Sequence, residues 1–345
     1  MAKITIKIRQ LADDDKNAWE EFILSRNEAN FLQSWSWGEF HQTLGKVIER
    51  SGFYEKSKLV GIMQSIVEPA KRGRYLTVPG GPIIDWQNKS VVNVFLNQIK
   101  KIAKENNCVF VRVRPQLKSD DFSKKLFKNL GFIKAPMHLH AELTSQLDIQ
   151  KSEEELMLQM RKATRYEIRK GIKEKIKIST SIDEKDIGNF YDLQIETAKR
   201  QKFIPFSYKF LYEQFKIFAQ NGNALLYKAS LGDKLLTQAF IIFYGNEAVY
   251  HYGASTDEGR RHPGAYLIQW EAIKEAKKRK MTRYNFWGVA PEGKNDHRFS
   301  GLSLFKRGFG GEDFGYLHAQ DLVINKLRYL LNYIIESLRK KSRRV

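Results

Sequence analysis

The chain has one cysteine, eight prolines and a shortage of acid: 39 Asp and Glu face 59 Lys and Arg, a formal charge of +20 over 345 residues. A single thiol excludes an intrachain disulfide and a thiolate metal cluster. Cys108, in the apolar run Cys108-Val109-Phe110-Val111, therefore reads as a core residue of a protein kept in a reducing, cytoplasmic setting. No apolar run approaches the roughly 18 residues of a membrane-spanning helix. Met1 to Arg9 alternate charge with β-branched side chains where a signal peptide would carry an apolar core. The expectation is a cytoplasmic protein, peripheral at most to the inner face of a membrane.

The usual signatures of several chemistries are missing as well. Without a Walker loop, a dinucleotide fingerprint or an HExxH helix, nucleotide hydrolysis, hydride transfer and zinc proteolysis lose their support. Without a Gly-x-Ser-x-Gly elbow, covalent acyl-enzyme chemistry does too. His138-x-His140 puts two imidazoles on one side of an extended segment, but no third ligand accompanies them, so no metal is expected. Arg261-x-x-Gly264 precedes a helix in the manner of a coenzyme A pyrophosphate loop, yet Tyr266 stands where Gly or Ala is needed. Direct transfer between two bound substrates is what remains.

What is present is a folded chain, 42% hydrophobic and 12% aromatic, long enough for two domains of about 150 residues each. The excess of base attracts polyanions, so RNA, anionic lipid and pyrophosphate-bearing substrates are the natural partners, against the plainer reading of a solvated basic surface. Periodicity predicts strands at Lys3–Arg9, Val47–Tyr54, Leu59–Val67 and Val109–Val113. Helices are predicted at Asp13–Ser25, around Trp35–Leu44, and at Ser90–Glu105 and Phe122–Leu130. The second half repeats the plan, with helices at Glu153–Lys175, Asp186–Lys199 and Ser207–Asn221. Strands follow at Ala224–Leu231, Lys234–Tyr244 and Glu247–Ala254, then a helix from Pro263. The fold class is α/β (α+β): two domains of one mixed-sheet fold, residues 1–146 and 147–316, with a helix in 317–345 packing back on the first.

Three stretches invite a functional reading. Arg161, Arg165, Arg169 and Lys173 recur every fourth residue, which on one helix lines up a cationic face for phosphate; a solvated face is the alternative. Gly301-Leu302-Ser303-Leu304-Phe305-Lys306-Arg307-Gly308-Phe309-Gly310-Gly311 reads as a glycine-rich loop that sets Lys306 and Arg307 among aromatics where backbone can approach a ligand. Leu322 to Leu338 carries an apolar helical stripe followed by Arg339, Lys340, Lys341, Arg343 and Arg344. That stripe is either a face packed on the first domain or an attachment to an anionic bilayer.

Arg165-Tyr166, the segment Tyr266-Leu267-Ile268-Gln269-Trp270, Tyr284-x-Phe286-x-Gly288 and above all Phe305-Lys306-x-x-Phe309-Gly310-Gly311 together resemble the FemABX peptidyltransferases. Gln33-Ser34-x-x-Trp37-Gly38 and Gly81-Pro82-x-x-Asp85 extend the resemblance over nearly the whole chain. It implies two GNAT-like domains in tandem, here without room for the long helical hairpin of some members. It also implies transfer of an amino acid from aminoacyl-tRNA, the co-substrate in place of any cofactor, to the stem peptide of a peptidoglycan precursor, lipid II or UDP-MurNAc-pentapeptide. By the same resemblance Lys306 stabilises negative charge in the transition state and Phe305 supports the terminal adenosine or shapes the acyl pocket, with Arg307 beside them. Trp37 and His41 mark the precursor's pyrophosphate site, His41 replacing a Lys. Arg165 and Tyr166, Arg200, Ser207 and Tyr208, and Tyr250 and Tyr252 are further substrate contacts. Arg114 stands where relatives have an Asp, which leaves the general base unassigned, with Asp85 a weak substitute. Rival readings keep the donor but use a phospholipid or a protein N-terminus as acceptor, or drop catalysis for a basic tRNA-binding scaffold.

Overall fold

Apolar residues on alternate positions build two sheets, and 3.6-residue stripes build the helices that cover them. The computed structural model describes residues 5–201, 203–294 and 296–343; Lys3 at the expected start of the first strand and Arg344 of the basic tail lie outside these. Contacts divide the chain into two units, Met1–Glu142 with Gly315–Val345, and Leu143–Phe314.

The first unit runs β1 (Ile6–Gln10), α1 (Lys16–Leu24), α2 (Trp35–Thr43), β2 (Val47–Glu55), β3 (Lys58–Glu68), β4 (Tyr75–Pro79), β5 (Ile83–Ile84), α3 (Lys89–Glu105), β6 (Phe110–Arg114), α4 (Asp121–Asn129) and β7 (Ile133–Lys134). The second holds β8 (Leu143–Asp148), α5 (Glu153–Gln159), α6 (Lys162–Lys173), β9 (Lys177–Ser181), α7 (Ile187–Gln201), α8 (Tyr208–Gln220), β10 (Ala224–Leu231), β11 (Lys234–Tyr244), β12 (Glu247–Ser255), α9 (Gly264–Lys278), β13 (Arg283–Gly288), α10 (Ser300–Arg307) and β14 (Glu312–Gly315). The chain then returns to the first unit as β15 (Gln320–Val323) and α11 (Lys326–Arg343).

The two sheets share one plan. In the first, β1-β2-β3-β4 form an antiparallel meander, α3 crosses over, and β6 lies parallel to β4. In the second, β9-β10-β11-β12 meander, α9 crosses over, and β13 lies parallel to β12. The next slot in each is filled from a distant part of the chain, by β15 beside β6 and by β8 beside β13. This exchange is why the chain must come back to its first unit.

Local chemistry explains each cover helix. In α3, Asn88 accepts hydrogen bonds from the Ser90 and Val91 amides and starts the helix, and Val91, Phe95, Ile99 and Ile102 then fall on one buried face. They pack on Phe53, Leu76, Val78, Val111 and Val113 of the sheet. The second core sets Leu267, Ile268 and Ile273 of α9 on Ala239, Ile241, Tyr284 and Phe286.

Three expectations change. The single helix expected over Glu153–Lys175 is two, because Met160 and Arg161 adopt extended backbone between α5 and α6. Met160 is buried in the core, and the Arg161 amide donates to the Gly308 carbonyl at 2.9 Å, so the break is satisfied. Residues 301–311 are not a loop, since α10 occupies most of them. Leu322 and Val323 belong to β15, and the terminal helix starts only at Lys326.

That terminal helix is tied down by polar contacts. Arg112 of β6 donates two hydrogen bonds to Asp321 of β15, both 2.8 Å, and one to Glu336 of α11 at 2.9 Å; the Tyr329 hydroxyl donates to Asp321 at 2.9 Å. Asp321 is fully buried, so removing it takes two of these hydrogen bonds from a buried guanidinium and leaves it Glu336 alone. We expect Asp321→Ala to lose about 3–5 kcal/mol in urea unfolding; an unchanged midpoint would mean that Arg112 finds water in the native state.

Candidate active site

The site grows from the end of β13. Two residues there, Phe286 and Trp287, stand opposite the single Ser145 of β8, a bulge that leaves Trp287 at φ 63°, a left-handed conformation seldom taken by a bulky side chain. Buried polar groups hold it. Glu247 receives hydrogen bonds from Arg283 at 2.7 Å and from Asn285 Nδ2 at 3.0 Å, and the Asn285 side-chain oxygen Oδ1 accepts from the Trp287 backbone amide at 2.8 Å. The bulge turns the Gly288 carbonyl toward α10.

One face of α10 grips the strand end that follows. Ser303 accepts from the Ala290 amide at 2.7 Å, Arg307 donates to the Ala290 carbonyl at 2.6 Å, and Lys306 Nζ donates to the Gly288 carbonyl at 2.7 Å. Lys306 is only 5% exposed, and among the described residues no carboxylate forms an ion pair with it. Its Nζ lies 5.6 Å from the centre of the Tyr250 ring. Burial without a counter-charge pushes its pKa down to about 7. Burial also raises Tyr250, to about 12, so its hydroxyl stays protonated at neutral pH. That hydroxyl lies over Gly253, where a Cβ would come within 1.9 Å of it, so any larger residue there would displace the Tyr250 ring.

Sequence reasoning set Lys306 in a glycine-rich loop, whereas the structure sets it in α10. The glycines after it serve packing rather than a ligand. Gly310, at φ 89°, would set a Cβ 3.0 Å from the Gln159 backbone, and Gly311 would meet the Gln146 carbonyl at 2.9 Å. Phe305 is half-buried on the second core, edge-to-face with Tyr266 at 4.8 Å and with Phe309 at 5.4 Å. Arg307 is held by Asp313 as well as Ala290 and acts as a strut.

The remaining candidates fall into three groups. Arg165 turns back onto the Leu158 and Met160 carbonyls, Arg200 binds Asp257 and the Ser255 carbonyl, and Ser207 caps α8 by accepting from the Phe210 amide; each has a structural duty. With Arg161 off the helix, the expected four-cation face shortens to Arg165, Arg169 and Lys173, of which Arg169 and Lys173 are exposed. Tyr166 and Tyr208 are exposed, and Tyr208 sits between the Tyr191 and Tyr212 rings at 5.6 and 5.7 Å. Tyr252 joins Phe206 and Phe240 rather than Lys306.

Trp37 and His41 lie in the first unit. Both are buried in an aromatic cluster with Phe40. Burial, with Lys46 nearby, pushes the His41 pKa down to about 2, so without an anion beside it the imidazole is neutral at physiological pH. Arg114 is buried, donates to Gln116 at 2.8 Å and lies over the Tyr316 ring. Asp85 accepts from the Gln87 amide in its own turn. Among the described residues no group of His, Cys, Asp or Glu could hold a metal ion, and no helix is long and apolar enough to cross a membrane. The supporting residues that sequence reasoning missed, Glu247, Asn285, Trp287 and Ser303, carry no motif; only the polar Asn inside an apolar strand hinted at a bulge.

The protonation of Lys306 is measurable in stability. The unfolded chain keeps this proton up to the ordinary value of 10.5, whereas the native state releases it near 7. Below pH 7 the charge is buried at full penalty, and between the two values stability rises with pH. Wild type should therefore gain on the order of 2 kcal/mol over Lys306→Met between pH 6 and pH 9 in urea unfolding. Parallel curves would mean that the ammonium stays charged in the native state throughout.

Comparison with known proteins adds the following. The family model of the FemAB family matches residues 15–237 and 227–337. The chain is 22% identical to the aminoacyltransferase FemA of Staphylococcus aureus (strain bovine RF122 / ET3-1), over 87% of this chain and 94% of the relative. It is 21% identical to a lipid II:glycine glycyltransferase of Staphylococcus epidermidis, over 90% and 92%. Among solved structures, FemX superposes with a TM-score of 0.85 at 18% identity, covering 94% of this chain and 99% of that one. A tandem GNAT protein of clavulanic acid biosynthesis follows at 0.58 and 11%, covering 92% and 98%. The expected pair of GNAT-like domains is the fold that these structures share.

Proposed function

The chain belongs to the FemAB family, and from that premise we propose that it transfers an amino acid from aminoacyl-tRNA to an amino group on the stem peptide of a peptidoglycan precursor. Relatives named as an aminoacyltransferase and as a lipid II:glycine glycyltransferase, matched over almost their full lengths, support transferase activity and a lipid-linked acceptor. The observation that carries the reading is Lys306, buried without a counter-charge and poised near neutrality.

Aminolysis of an ester needs what such a lysine offers. The amine nitrogen attacks the ester carbon, negative charge gathers on the carbonyl oxygen, the bond to the ribose oxygen breaks, and the amine's proton ends on that oxygen. One N–H of Lys306 is fixed by the Gly288 carbonyl, which aims the others at developing charge in a site of low dielectric. A pKa of about 7 also lets Lys306 give its proton to the leaving ribose oxygen and regain one from the amine. Tyr250 flanks this position, Phe305 is assigned to the acyl pocket, and exposed Tyr166, Tyr208, Arg169 and Lys173 suit stacking on bases and contact with phosphates of the donor.

The test is transfer of a labelled amino acid from charged tRNA to purified precursor, in lipid-linked and nucleotide-linked form. We expect a tRNA-dependent mass gain of one residue, reduced about 10²–10³-fold in Lys306→Met. Label on phosphatidylglycerol instead would replace the acceptor. Transfer undiminished in the variant would remove Lys306 from the chemistry.

A further inference from the structure

Helix α11 is amphipathic the wrong way round. Its inward face is polar, with Asn332 bound to Arg72, Glu336 bound to Arg112, and Tyr329 bound to Asp321. Its outward face is aliphatic: Leu327, Leu331, Ile334 and Leu338 are 82, 62, 47 and 62% exposed. Their spacing of four, three and four residues places all four within one narrow stripe, opposite the buried Tyr329 and Asn332. A soluble surface rarely sets so many large aliphatic side chains side by side without a partner for them.

The charges around the stripe say which partner fits. Glu336 is the one acidic residue in α11, and it is consumed by Arg112. Lys326 and Arg328 flank the start of the stripe, and exposed Arg339 with Lys340 flanks its end. Beside the helix, Lys71 and Arg74 are exposed on the loop that delivers Arg72 to Asn332, and Lys104 lines one shallow depression together with Arg328. A second copy would bring a like-charged rim against this one, whereas an anionic bilayer accepts the leucines among its acyl chains and the rim among its headgroups.

We propose that α11 is a membrane-docking helix that lays its leucine stripe into an anionic lipid surface, in the plane of the bilayer. This goes beyond the transferase reading and does not depend on it: docking would hold the protein where a lipid-linked acceptor is displayed, but the lipid contact is made by residues remote in function from Lys306.

The full-length protein is mixed with vesicles of phosphatidylcholine alone and of phosphatidylcholine with about one-third phosphatidylglycerol, and bound protein is read by sedimentation. Wild type should partition to the anionic vesicles at least roughly tenfold better than to the neutral ones, and should lose most of that advantage as salt rises from about 0.1 to 0.5 M. Combined Leu327→Gln, Leu331→Gln and Leu338→Gln should lower anionic-vesicle binding about tenfold or more, as should Arg328→Glu with Arg339→Glu. These side chains stand in solvent, so circular dichroism and the melting midpoint should match wild type. Equal binding to both vesicles, or leucine variants that bind like wild type, would overturn the proposal. So would a concentration-dependent dimer in sedimentation velocity that the leucine variant abolishes, which would assign the stripe to a second copy. Transfer to the nucleotide-linked precursor, which needs no membrane, separates the two readings: it should survive the leucine substitutions whatever the vesicles show.

Discussion

A lysine ammonium held out of water by one carbonyl oxygen is the constraint around which the second unit is arranged. Lys306 donates to Gly288 and forms no ion pair among the described residues. A charged group so placed is unstable unless the carbonyl is fixed, and fixing it takes a bulge in β13, the unfavourable backbone of Trp287, and the Glu247–Asn285 hydrogen bonds that hold both. Ser303 and Arg307 then clamp Ala290, so the carbonyl cannot swing away. Strain in the strand, burial of the lysine and the depressed pKa are one feature seen from three sides.

Most arginines singled out by pattern are engaged by backbone carbonyl groups within the fold. A helix break, a strand end and a turn each leave carbonyl groups without a partner. Arg165 serves the end of α5, Arg200 the end of β12, and Arg307 the segment after β13. The guanidinium fork suits this work because it reaches two acceptors at once and never loses its charge. Arg169 and Lys173 on α6 and the basic rim of α11 are exposed instead.

Much of the fold was legible because its elements are locally consistent. Alternation named the meanders, and stripes with caps such as Asn88 named the cover helices. The helix break at Met160 was not legible, since Arg161, Arg165, Arg169 and Lys173 keep an unbroken four-residue period through it. Only tertiary contacts, Met160 into the core and Arg161 onto Gly308, decide against one helix. The glycines around Lys306 were misread for a related reason. A glycine announces close approach of backbone but not what approaches, and here Gln159 and Gln146 do. His41 shows the same limit for charge: its residue type suggests an ordinary imidazole pKa, and burial beside Trp37 and Phe40 lowers it.

Helices α3 and α11 carry equally regular stripes and bury opposite kinds of face. In α3 the aliphatic residues go under the sheet because the surface facing them is Leu76, Val78 and Val111. In α11 the surface on offer is the buried Arg112–Asp321 pair, whose remaining hydrogen-bonding capacity leucine would leave unmet; Tyr329 and Glu336 answer it, and Asn332 accepts from Arg72 beside it. Periodicity records that a helix has two faces; the polarity of the neighbouring strand chooses between them. The leucines left outside therefore contribute little to the stability of the first unit. A surface that covered them would gain their burial without taking any contact away from the fold.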